Sequence, residues 1–125
     1  MNRLEKKLLS IKEEKRKAIS VFLTGGYPSW EVTEQLVPLL YKKGVDVFEI
    51  GFPFSYPIAD GPVIQEASFV SLSQGTVWGD LLSFARKIRA KSDVPLVLMS
   101  YANPLYQRGW KKAAMELMKA GFDGV

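Results

Sequence analysis

Residues 45–50, VDVFEI, run without a break into residues 51–62, GFPFSYPIADGP. The first six are apolar and partly β-branched, and read as a buried strand. The next twelve carry three prolines and two glycines, a composition that only a loop accommodates. Along the strand, Val45, Val47 and Glu49 share one face, opposite Asp46, Phe48 and Ile50. A carboxylate therefore sits inside an apolar strand, one residue before it opens into a Pro/Gly loop.

The same unit recurs on both sides. Upstream, residues 18–24 (AISVFLT) read as a buried strand closed by Gly25 and Gly26. Tyr27 and Pro28 make the turn, and Ser29 is placed to cap a helix over residues 30–43. Pro38 lies inside that helix and should kink it, while Gly44 suits its C-terminal end. Downstream, helices are expected over residues 62–73 and 78–91. In the second, Leu81, Phe84, Ala85 and Ile88 fall on one face. Residues 94–100 (VPLVLMS) read as a third strand, residues 101–109 (YANPLYQRG) as a loop, and the Trp110–Ala120 stretch as a helix closed by Gly121. Residues 122–125 look like a strand that has just begun. Ahead of the first strand, Leu4, Leu8 and Ile11 among charges suit a short amphipathic helix.

Apolar strands alternating with amphipathic helices indicate a parallel α/β sheet. The repeat is close to the roughly 31 residues per unit of a (β/α)8 TIM barrel of about 250 residues. An open doubly wound sheet usually carries a G-x-G-x-x-G turn after its first strand, and Thr24-Gly25-Gly26-Tyr27 does not supply one. The expectation is one partial barrel domain over residues 1–125. Residues 1–16 form its N-terminal helix, and residues 17–125 hold βα units 1–3 and the start of strand 4. On this reading the chain is a fragment, about the first half of a barrel. It exposes strand edges and interior apolar positions that favour self-association.

The 125 residues are 47% hydrophobic and 24% charged, an ordinary balance for a globular protein. Much of the net charge of +4 sits in the first seventeen residues, as a solvated helix face without interleaved aromatics. Nucleic-acid binding is not indicated, and an anionic substrate suits the charge equally well. No apolar run is long enough to span a bilayer and no secretory signal is evident, so a cytoplasmic protein without membrane contact is expected. With neither cysteine nor histidine, the chain has no thiolate or imidazole nucleophile system and no usual zinc ligand. No metal site is expected, and acid–base chemistry falls to Asp, Glu, Lys or Tyr.

In a (β/α)8 barrel the chemistry collects at the C-terminal ends of strands. Those places hold Thr24, Glu49, the loop with Ser55 and Asp60, and the segment with Tyr101 and Asn103. Glu49 inside a barrel would be partly desolvated, which raises a carboxyl's pKa toward general acid–base use. An edge-strand glutamate paired in solvent is the plainer alternative. Asp60, in Ala59-Asp60-Gly61-Pro62, equally suits a turn residue that caps the next helix. Every lysine falls in a helix or on the opposite rim, so a Schiff-base lysine pointing into the barrel is absent.

Residues 48–62 (FEIGFPFSYPIADGP) closely resemble the signature segment of the tryptophan synthase α-subunit family. Residues 22–28 (FLTGGYP) and 99–104 (MSYANP) resemble family segments in the same order. The resemblance implies retro-aldol cleavage of indole-3-glycerol phosphate to indole and glyceraldehyde 3-phosphate. It implies that Glu49 is the catalytic acid–base and that Asp60 accepts the indole N–H. Phe22, Met99 and Tyr101 would line the indole pocket. Ser55, Tyr56, Pro57, Asn103 and Pro104 would face a β subunit in an α2β2 complex. No cofactor is implied for this half-reaction, because pyridoxal phosphate belongs to the β subunit. A non-catalytic half-barrel that only assembles with a β-type partner is the alternative. Tyr56 departs from the pattern, standing where the family usually has an acidic residue. The family's phosphate-binding glycines and serine, which lie in later loops, have no counterpart here.

Overall fold

The computed structural model describes residues 1–125. Helix α1 (Arg3–Glu13) precedes strand β1 (Ser20–Thr24), helix α2 (Trp30–Lys42), strand β2 (Val47–Gly51), helix α3 (Pro62–Ser73) and helix α4 (Trp78–Arg89). Strand β3 (Leu96–Met99), helix α5 (Ala102–Arg108) and helix α6 (Trp110–Ala120) complete the order. The sheet runs β1-β2-β3, with both pairs parallel. A parallel bridge from Val97 to Gly124 sets the end of the chain beside β3. Residues 122–125 thus begin a fourth ladder position without forming a regular strand.

The helices take the termini their sequences allow. Asn2 caps α1, accepting from the Glu5 N–H while the Glu5 side chain accepts from the Asn2 N–H. Ser29 Oγ accepts from the Val32 N–H at the start of α2. Pro38 does not end α2. Val37, Leu40 and Tyr41 around it pack on the core, which sustains the turn that the proline leaves unbonded. Gly44, Gly75 and Gly121 follow helices with φ of 104°, 83° and 105°, where residues with a Cβ are strained.

The sheet has two unlike faces. Phe48, Ile50, Leu96 and Leu98 point toward the helices and are essentially sealed. They join Val37, Leu81, Phe84, Ala85, Ile88, Ala113 and Leu117 in one hydrophobic cluster. On the other face the parallel register aligns Phe22, Glu49 and Val97 in one row and Thr24, Gly51 and Met99 in the next. That face has no helix over most of it, and Met99 is 53% exposed.

Several expectations need correction. Strand β1 is half-exposed rather than buried, because it is a sheet edge with a neighbour only on the β2 side. Residues 101–109 are not all loop, since residues 102–108 form α5. Pro104 falls in its first turn, where the missing N–H has no intrahelical partner to lose, and Gly109 (φ 89°) separates α5 from α6. Gly61, not Asp60, occupies the N-cap of α3, without a side-chain cap. No helix is long and apolar enough to cross a membrane.

Candidate active site

The C-terminal ends of the strands surround a cavity of about 580 Å³. Strand β1 contributes Phe22 and Thr24, β2 contributes Glu49 and Gly51, and β3 contributes Met99. The loop after β2 supplies Phe52, Ala59 and Asp60, and α3 adds Ile64 and Ser68. Ser100 and Tyr101 close it from the segment after β3. The five residues singled out for catalysis and substrate binding, Phe22, Glu49, Asp60, Met99 and Tyr101, all line this one space.

Parallel pairing is what brings them together. Phe22 and Glu49 are register partners, so their side chains rise side by side from the same face. The Phe22 ring leans over Gly51 on the next row, where a Cβ would lie 2.5 Å from its ring carbon. Glycine at 51 therefore lets the ring lie across the strand. Glu49 is half-buried, and its Oε1 accepts a hydrogen bond of 2.6 Å from Ser20 Oγ, one row further in. The carboxylate lies on the sheet face that lines the cavity.

Asp60 is tied down rather than capping α3. Tyr101 Oη donates to Asp60 Oδ2 at 3.1 Å and accepts from the Ala59 N–H at 2.9 Å. The Tyr101 ring stacks on Phe54 with centroids 5.0 Å apart. Gln65 Nε2 donates to Asp60 O at 2.8 Å, holding the loop against the first turns of α3. Tyr101 thus fixes the carboxylate whose cavity it lines. Glu49 and Asp60 are the only charged groups of the lining, and neither forms an ion pair.

The turn after β1 is locked from below. Ser71 Oγ lies 2.7 Å from Gly25 O and 2.9 Å from Thr76 Oγ1, which also accepts from Trp30 Nε1–H at 3.2 Å. Thr33 Oγ1 accepts from the Gly26 N–H and donates to Ser29 O. This network anchors the turn that follows Thr24.

The residues assigned to a partner surface lie outside the cavity. Ser55 and Tyr56 are exposed, Tyr56 at 74%, while Pro57 is half-buried. Ser55 and Pro57 border a shallow groove with Phe54 and Phe69. Asn103 and Pro104 occupy the first turn of α5, immediately after Tyr101. Both groups follow strand ends and so sit on the same rim as the cavity. Sequence reasoning missed Gly51, Phe52, Ala59, Ile64, Ser68 and Ser100. Ile64 and Ser68 were hidden because a cavity-lining position on a helix carries the same residue types as a core position.

At the level of known proteins, the family described as tryptophan synthase alpha chain matches residues 8–125. The tryptophan synthase alpha chain of Geobacter sulfurreducens is 42% identical over 125 residues, which is 100% of this chain and 47% of that one. The crystal structure of tryptophan synthase subunit alpha from Legionella pneumophila superposes with a TM-score of 0.96 at 40% identity. It covers 99% of this chain and 48% of its own. A tryptophan synthase complex from Pyrococcus furiosus contains a chain similar at a TM-score of 0.82 and 34% identity, covering 86% of this chain and 44% of that one. The chain spans about half the length of the curated relatives it matches. Its backbone accordingly has the fold of about half of a (β/α)8 barrel.

Proposed function

From the premise that this chain belongs to the tryptophan synthase alpha chain family, we propose that its cavity takes indole-3-glycerol phosphate and cleaves it to indole and glyceraldehyde 3-phosphate. The observation that carries this reading is the gathering of Glu49 and Asp60 in one cavity with Phe22, Met99 and Tyr101.

The chemistry needs one proton delivered to indole C3 and one removed from the hydroxyl on the carbon attached to it. Protonation at C3 leaves positive charge on the ring nitrogen. The alkoxide electrons then form the aldehyde, the carbon–carbon bond breaks, and its electron pair returns to the ring. Glu49 serves as the acid–base for these transfers. Asp60 accepts the indole N–H and stabilises the cationic ring, a fixed-charge contribution of several kcal/mol. Tyr101 holds Asp60 in place through its hydroxyl, and Phe22 and Met99 provide apolar walls for the ring. The lining carries no lysine or arginine.

The partner in this reading is a β-type subunit in an α2β2 assembly that consumes the indole. Support comes from the exposure of Ser55, Tyr56 and Asn103 on the cavity's rim and from the likeness to a chain of a tryptophan synthase complex. Tyr56 carries no charge, so ion pairing through that position is lost from the interface, while hydrophobic contact through Tyr56, Pro57 and Pro104 remains.

The test is indole release from indole-3-glycerol phosphate by the chain and by Glu49→Gln, each with a β subunit present. Release that falls about 10²- to 10⁴-fold in the variant is the expected result. Equal release by both proteins, or none by either, overturns the reading. Unchanged β-subunit binding by Glu49→Gln separates the chemical role from an assembly role.

A further inference from the structure

Five hydroxyl side chains are buried: Thr24, Thr33, Ser68, Ser71 and Thr76. Thr33, Ser71 and Thr76 are fully accounted for by the network under the turn after β1. Thr24 and Ser68 are 8% and 5% exposed, and neither hydroxyl bonds any other group of the protein. No side-chain oxygen sealed from solvent lacks a partner, so these two open onto the cavity that both residues line. A helical serine ordinarily donates to a carbonyl one turn back, as Thr33 does to Ser29 O. Ser68 forgoes that bond. The two buried hydroxyls left unbonded are the two that face the cavity.

Their surroundings restrict what they can take. The charged groups of the lining are two carboxylates, Glu49 and Asp60, and no cation accompanies them. An anionic group placed there meets like charge, whereas a neutral hydroxyl does not. Thr24 stands two residues beyond Phe22 on the same strand face, about 6–7 Å nearer the open rim. Ser68 stands one helical turn beyond Ile64 on α3, the helix that the Asp60 loop leads into.

We propose that Thr24 and Ser68 form a second polar pole of the cavity, which hydrogen-bonds the neutral hydroxyls of the ligand's carbon chain and selects a hydroxylated chain over its deoxy counterpart. This rests on the preceding reading of the ligand as an indole bearing a glycerol phosphate. The pole fixes the chain that must present its hydroxyl to Glu49, so both residues are specificity-determining and neither exchanges a proton.

Thr24→Val and Ser68→Ala each delete one oxygen with little change of shape, and neither breaks a bond within the protein. Dissociation constants are measured by calorimetry in the Glu49→Gln background, so that ligand is not consumed. The probes are indole-3-glycerol phosphate and indole-3-propyl phosphate, which lacks the two chain hydroxyls. Each substitution is expected to weaken the glycerol ligand about 3- to 10-fold, with the propyl ligand unchanged within about twofold. Equal weakening of both ligands, or of neither, overturns the proposal while leaving the proposed reaction standing. Failure of the Glu49→Gln parent to bind either ligand overturns the reaction and this inference together.

Discussion

Asp46 and Glu49 lie three residues apart on one stretch of backbone and meet opposite surroundings. Asp46, just before β2, is sealed and takes two hydrogen bonds of 2.8 Å from the Arg16 guanidinium, with a third from the Ile19 N–H. Glu49, at the middle of β2, has a single serine hydroxyl and an open cavity. The contrast extends across the sheet. Asp123, entering the fourth ladder position, is paired with Arg3 at 3.0 Å and Arg89 at 3.1 Å and accepts from the Leu96 N–H. Asp60, on the cavity rim, is held by a neutral tyrosine. Carboxylates at the N-terminal rim are neutralised by arginines and bind the chain together. Those at the C-terminal rim have no cation beside them and line the cavity. This is the division of labour that a barrel assigns to its two ends, stability below and chemistry above.

The strongest way to break that division is at Asp123. Its side chain is 1% exposed and joins α1, the end of α4, β3 and the final bridge. Asp123→Ala leaves Arg89 largely buried without its anion, and is expected to cost about 3–5 kcal/mol. Chemical denaturation followed by circular dichroism measures the loss. A cost below about 1 kcal/mol would mean that the lower rim is not what holds the chain together.

Much of this arrangement was legible in the sequence, and the parts that were not share a cause. The three strands and the long helices were visible because Phe48, Ile50, Leu96 and Leu98, or Leu81, Phe84, Ala85 and Ile88, repeat with the period of their element. Glu49 stood out because a charge interrupts such a run at its end. Helix α5 escaped because a seven-residue helix with one buried side chain, Leu105, has no period to detect, and Asn103-Pro104 reads as a turn. The half-exposure of β1 depends on what lies beside it, which no local pattern encodes. The bonds of Tyr101 to Asp60 and of Arg3 to Asp123 join residues 41 and 120 positions apart. They follow from register, not from spacing. The free hydroxyls of Thr24 and Ser68 became visible only once the other buried hydroxyls were seen to be occupied.

A smaller effect is expected from pH at the lower rim. The Arg16 guanidinium, helped by the Ile19 N–H against the opposing effect of burial, lowers the Asp46 carboxyl from its ordinary 3.8 to about 2. The folded protein thus keeps this carboxylate charged at acidities where the unfolded chain protonates it. The stabilisation is complete above pH 4 and is lost as pH falls from about 4 toward 2. Asp46→Asn should cost about 1–2 kcal/mol at neutral pH, less than a sealed pair because the Arg16 side chain is 40% exposed. It should also flatten the loss of stability across that acid window. An unchanged acid profile in the variant would remove Asp46 from the account of the lower rim.

The smallest expected effect is the sharpest discriminator. In Glu49→Gln the amide oxygen can still accept from Ser20 Oγ, and no arginine loses a partner. The variant should therefore unfold within about 0.5 kcal/mol of the parent chain, although its indole release is expected to collapse. A residue that costs the reaction nearly everything and the fold almost nothing is placed for chemistry. If Glu49→Gln instead destabilises the chain by more than about 1 kcal/mol, the serine contact is structural, Glu49 belongs with Asp46 and Asp123, and the distinction between the two rims fails at its central residue.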